Sequence, residues 1–141
     1  MIPNTRRNKV REIEFKGKDS TGIMNYDWFY GSLDTSFNKD FPRIVCKDKW
    51  GNTMLITVDG ETVGQYTGVD DSNKRKIFEN DIVDLILPYK TIRCKVVFEK
   101  GHFKLVDDYD SLVYYISPSL DMEVLGNIFD NPELMEESND N

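Results

Sequence analysis

Thr91-Ile92-Arg93-Cys94-Lys95-Val96-Val97-Phe98-Glu99, then Lys100-Gly101, then His102-Phe103-Lys104-Leu105-Val106: this stretch sets the structural class of the chain. Apolar and polar side chains alternate on both sides of a two-residue turn. Period-two alternation puts one face of an extended strand on a core and the other in water, and the Lys-Gly step reverses the chain. The stretch therefore predicts a β-hairpin.

The same pattern continues in both directions. Downstream, Val113 to Ile116 is a weaker strand and Met122 to Phe129 a stronger one. Upstream, Ile82 to Leu87 reads as a strand that Pro88 stops, because proline has no N–H for the ladder. Arg43 to Lys47 and Thr53 to Val58 flank Asp48-Lys49-Trp50-Gly51-Asn52, a hairpin turn, and Asp59-Gly60 marks another turn. Tyr26 to Leu33 is an aromatic-rich run. Arg11 to Lys16 sends Ile13 and Phe15 to one side and charges to the other. Sustained helical periodicity is absent. Single turns at Ile77-Phe78-Glu79 and at Pro132 to Met135 are the helical segments expected. The class is all-β.

The spacing of the later strands predicts a small SH3-like β-barrel in the C-terminal half, residues 63–135, entered through Glu79-Asn80-Asp81. A glycine is usual at the Asn80 position of such an entry turn, and Asn tolerates positive φ better than most residues. Before it lie a basic N-terminal arm, residues 1–10, and an N-terminal β-rich region, residues 11–62. The polar, acidic tail, residues 136–141, reads as disordered.

At 141 residues, with 39% apolar and 12% aromatic content, the chain holds enough bulk for a core without staples. Its 25 acidic and 18 basic residues give a net charge of −7, which opposes general attachment to nucleic acid or anionic membrane. No apolar run reaches the length of a membrane helix, and no apolar stretch follows the charged N-terminus as in a secretory signal. Cys46 and Cys94 sit far apart in strand-like runs and read as buried thiols of a cytoplasmic protein.

Four phrases, in order, are similar to those of the YopX family of phage and prophage proteins. They are Arg11 to Lys18; Trp28, Tyr30, Gly31 and Leu33; Glu61 to Gly68 with Ile77 to Val83; and Glu123 to Leu134. The resemblance runs from about Arg11 to Met135. Two departures each remove a glycine: Asn73-Lys74 stands where the family tends to have Asn-Gly, and Glu79-Asn80-Asp81 where it tends to have Glu-Gly-Asp. The resemblance implies a mostly β fold, a bacteriophage or prophage origin and a homo-oligomer. It brings no assigned activity, no cofactor and no catalytic residue.

The residues themselves assemble no reaction centre. His102 opens a strand whose Phe103 and Leu105 face the core, so its ring is expected in solvent without the partners a general base or metal ligand needs. Gly64 to Gly68 lacks the Gly-Lys-Ser/Thr end of a phosphate loop, and turn glycines explain it better. Ser32 follows a glycine but sits in no nucleophile elbow. Asp70-Asp71 and Asp107, Asp108 and Asp110 lack the glycine and closing Glu of a calcium loop and read as solvated turns.

What remains is surface. Trp28, Phe29, Tyr30, Trp50 and Tyr66 form a candidate interaction surface, although aromatics at strand spacing more often fill a core. Arg6, Arg7, Lys9 and Arg11 form a candidate basic arm. Pro132 to Met135 either folds back over the barrel or docks on a neighbouring subunit. The economical expectation is a non-enzymatic module that works by protein–protein contact, as a homo-oligomer or with a host or phage partner, through a strand edge and the aromatic face. A nucleic-acid-binding accessory protein of phage replication or recombination is the alternative.

Overall fold

The computed structural model describes residues 10–137. These hold eleven strands: β1 Phe15–Lys18, β2 Trp28–Asp34, β3 Arg43–Lys47, β4 Thr53–Thr57, β5 Gly64–Asp70, β6 Lys76–Phe78, β7 Asp81–Ile86, β8 Thr91–Glu99, β9 His102–Val106, β10 Leu112–Tyr115 and β11 Met122–Asn127. A 3-10 turn at Gly60–Thr62 and one short helix, α1 Glu133–Glu137, complete the elements. All strand pairs are antiparallel. They form a six-stranded sheet ordered β4-β3-β2-β1-β5-β6 and a five-stranded sheet ordered β10-β9-β8-β7-β11.

The all-β class is as the alternation predicts, and β3, β8 and β9 fall on the residues read from it. Three features differ. First, β5 pairs with β1 and β6 pairs with β5, so the chain leaves the first sheet after Phe78, well beyond residue 63. Second, Ile77 and Phe78 are strand residues, not a helical turn. The Phe78 N–H is held by the Asp81 Oδ2 at 2.8 Å while Ile77 is sealed in the core. Third, the second sheet is open, with β10 and β11 as its edges, and is not a closed barrel. β10 is short and bulged between Leu112 and Tyr114, and the β5–β6 turn occupies the far side of β11.

The buried apolar residues form two clusters, the second joining the second sheet to Ile77 of β6. Ile44, Ile56 and Val58 gather Phe15, Phe29, Leu33 and Cys46 in the first. Ile77, Val83, Leu85, Cys94, Val96, Leu105 and Met122 form the second. The two cysteines thus lie in different clusters and are free thiols. Burial pushes both thiols up, Cys94 to about 12. Of the two fates open to Pro132–Met135, the fold takes the first. Met135 is buried, and the Arg93 guanidinium donates to the Leu134 carbonyl at 3.3 Å, so α1 lies back on β8.

Both positions that lack the family's glycine carry positive φ. Asn80 has φ 76° and Lys74 has φ 64°. Asn80 is held in place by backbone bonds: its N–H reaches the Val96 carbonyl and its carbonyl accepts from the Ile128 N–H.

Candidate functional site

Strand alternation decides which side chains meet between the sheets. Lys16 stands opposite Tyr30 and Lys18 opposite Trp28, so these four share one face of the first sheet. Phe15, Phe29 and Leu33 take the other face and fill its core. Gly64 is opposite Lys16, and Tyr66 is opposite Phe78, which adds Tyr66 and Phe78 to the shared face.

The second sheet supplies the counter-groups. The Lys16 ammonium meets the Asp81 carboxylate at 2.6 Å, with the two residues only 5% and 3% exposed. It also lies 4.7 Å from the Trp28 ring centroid and 5.2 Å from that of Phe78. Burial raises Asp81 above the usual carboxylate range, against the opposing pull of Lys16. Asp130 accepts from Lys18 Nζ and Trp28 Nε1, each at 2.7 Å, and from Asn127 Nδ2 at 3.2 Å. Burial works upward on Asp130, but these donors hold it below its ordinary value. Phe129 packs on Trp28 at 6.1 Å, and Tyr30 meets Phe78 edge-on at 5.5 Å. Burial and the nearby carboxylates of Asp81, Glu14 and Asp130 raise the Tyr30 phenol.

The four phrases that carry the YopX resemblance therefore interlock. Lys16 from the first meets Asp81 from the third, and Trp28 from the second meets Phe129 and Asp130 from the fourth. Gly64 is tight for the same reason, because a Cβ there would stand 2.5 Å from the Glu79 carbonyl oxygen. A further tie comes from Asp71, which accepts from Asn73 and Arg75 within its own turn and from the Val124 N–H of β11.

A cleft of about 440 Å³ opens beside this junction, with Glu14, Lys16, Tyr30, Arg75, Lys76 and Asp81 in its wall. Its charges already have partners. Lys76 bonds Glu12 and Glu14, each at 2.6 Å, and these bonds lift its ammonium well above the usual lysine range. The arrangement fastens the two sheets together. The acidic clusters act likewise as turn caps, with Asp107 accepting from Tyr109 and Ser111. His102 is exposed, its ring 5.1 Å from that of Tyr115. Among the described residues no group of three His, Cys, Asp or Glu side chains gathers as a metal site.

The aromatic residues singled out from the sequence do not share one surface. Trp28, Tyr30 and Tyr66 converge on the intersheet face, with Tyr66 buried and its hydroxyl bonded to Asp70. Phe29 faces the opposite core. Trp50 stands 75% exposed at the tip of the β3–β4 hairpin. Arg6, Arg7 and Lys9 lie outside the described residues, while Arg11 is exposed at the mouth of a second cleft.

The surface that sequence reading did not locate is the edge at β4. Asp48 N–H bonds the Asn52 carbonyl and Val58 N–H the Pro42 carbonyl. With Cys46 opposite Met54 and Ile44 opposite Ile56, alternate residues of β4 bond β3. Thr53, Leu55 and Thr57 then direct their backbone groups outward. Ser20 N–H takes the Thr57 carbonyl at 3.1 Å, so the free section is Thr53 to Leu55. This edge, Thr-Met-Leu-Ile-Thr, carries no charge and no proline, and Leu55 is 52% exposed. The signal was present in its composition, but which strand would be an edge is a matter of pairing.

Two antiparallel sheets joined through a buried ion pair and an aromatic–carboxylate clasp define an all-β protein of a particular kind. A family model described as "YopX protein" matches residues 8–136, and the chain belongs to the YopX family. Among solved structures, protein EF1440 from Enterococcus faecalis is similar, with a TM-score of 0.54 and 21% identity over 89% of this chain and 99% of that one. That likeness concerns the fold. No curated protein matches the chain. No helix among the described residues is long and apolar enough to cross a membrane.

Proposed function

We propose that this YopX-family protein is a non-enzymatic, phage- or prophage-encoded module that works by protein–protein contact, and that a second copy of the chain is the partner at β4. The outward-facing backbone groups of Thr53 and Leu55 carry the reading. An uncharged edge with unpaired donors and acceptors is a template for strand addition. Antiparallel pairing of two copies about Met54 sets Thr53 of each against Leu55 of the other. Every free N–H and C=O of that section then finds a partner. The absence of charge on β4 removes like-charge repulsion from the self-pairing, and Leu55 packs across the dyad.

A contact of this size predicts a dimer of modest affinity. Light scattering across a concentration series should show the mass rising toward twice that of the chain. Leu55→Lys, which places a charge on the edge, should hold the protein at monomer mass with an unchanged circular dichroism spectrum. A wild-type monomer at every concentration, or a dimer indifferent to Leu55→Lys, overturns the assignment.

A further inference from the structure

We infer that the cleft between β5 and the tip of the β8–β9 hairpin is a binding site for a nucleobase bearing a phosphate. The cleft holds about 520 Å³ and is lined by Arg11, Gln65, Tyr66, Phe98 and Phe103 together with Gly68 and Gly101. Phe98 lies on the same side of β8 as the core residues Cys94 and Val96, but at the strand end, where the first sheet stops covering it. It packs at 4.8 Å on Phe103 and is 51% exposed. A half-exposed phenyl ring fixed by a second ring is a stacking platform, and any base presents a π face to it.

The polar groups around the platform suit the rest of such a ligand. Among the described residues neither the Arg11 guanidinium nor the Gln65 side-chain amide has a hydrogen-bond partner, and both stand in the cleft wall. A planar guanidinium recognises phosphate oxygens in bidentate fashion, and an amide offers one acceptor and two donors to a base edge. The remaining acidic wall residue, Glu12, is engaged by Lys76 at 2.6 Å. Gly68 and Gly101 leave the mouth open, since a Cβ at either would meet nothing within 4 Å. The site is remote from β4 and independent of the self-pairing proposed there.

The shared chemistry, a base with a phosphate, can come from a free nucleotide or from a single strand of nucleic acid. The experiment is titration of the full chain, followed by NMR shifts of the amides, with adenosine, adenosine 5′-monophosphate and an oligodeoxythymidylate. The phosphate-bearing ligands should shift the Gly68 and Gly101 amides, and adenosine should bind more weakly. Phe98→Leu, which keeps apolar bulk but loses the stack, should weaken all three on the order of tenfold. Arg11→Ala should weaken the phosphate-bearing pair and leave adenosine nearly unchanged. Saturation by the mononucleotide identifies a nucleotide site, whereas response to the oligonucleotide with little to the monophosphate identifies a single strand. Shifts elsewhere only, no shifts at all, or an affinity untouched by Phe98→Leu in a folded variant overturns the assignment.

Discussion

Replacing Lys16 by Met tests whether the buried ion pair fastens the two sheets. The Met stem retains most of the contact with Trp28 and Phe78, so the change removes the charge and little volume. It leaves the Asp81 carboxylate, 3% exposed, with the Phe78 N–H as its remaining hydrogen-bond donor among the described residues. Breaking one half of a buried pair costs about 3–5 kcal/mol, while the loss of the ammonium from the two rings adds about 0.5–2 kcal/mol if desolvated. Since the contributions overlap, a loss of roughly 3–5 kcal/mol is expected in urea unfolding at pH 8.

The pH dependence carries the sharper test. Burial already raises Asp81, and removal of Lys16 raises it further. A carboxyl whose folded pKa lies above its unfolded value binds more protons when folded, so stability falls as pH rises between the two values. The Lys16→Met deficit should therefore be largest at pH 8 and shrink toward pH 5, as Asp81 takes up a proton. Adding Asp81→Asn should recover part of the loss, because it removes the stranded charge. A single-variant deficit below about 1 kcal/mol, or one equal at both pH values, would refute the assigned role.

Other positions give independent checks. Asp19 is buried, which pushes its carboxyl up, but bonds from Thr21, Met24 and Tyr26 outweigh this and hold it at about 2. Its contribution is present above the ordinary value of 3.8 and is lost as pH falls through about 2, so Asp19→Asn should flatten the acid limb of stability. Lys74→Gly should raise unfolding stability by about 0.5–1 kcal/mol through relief of a left-handed backbone, and Asn80→Gly by less. Gly31→Ala should cost about 3 kcal/mol or more, or prevent folding, because its Cβ would stand 2.1 Å from the Val45 carbonyl oxygen. A thiol reagent at pH 8 should label Cys46 well before Cys94, as measured by mass spectrometry of the native protein.

The strands that were legible in the sequence are those whose own side chains announce them. β8 and β9 alternate cleanly about Lys100-Gly101, and β3 and β4 flank a turn whose reversal Asp48 holds. β5 and β6 were not legible. Gly64-Gln65-Tyr66-Thr67-Gly68 has two glycines in a short span, and Lys76-Ile77-Phe78 is too brief for a period to show. Both strands exist because β1 and Asp81 receive them, and such partners are set by tertiary pairing. The same limit hid the open form of the second sheet, which depends on where β10 and β11 find neighbours. Among the site residues, Trp28 and Tyr30 were visible as aromatics. Their shared face with Lys16 and Lys18 required the β1–β2 register, and the Asp130 clasp required the turn after β11.

The position of β1 between β2 and β5 has a consequence for the order of events in synthesis. Of the described strands β1 is made first and is central, and one of its neighbours is not made until Gly64 and Gln65 follow. Its lysine waits longer still, for Asp81. Until β5 is made, β1 to β4 are a partial sheet with an apolar face and an uncovered margin at β1. Chains dominated by such distant pairings fold slowly, on the order of milliseconds to seconds. The nascent first half is thus the interval in which this protein is most exposed to mispairing with its own kind.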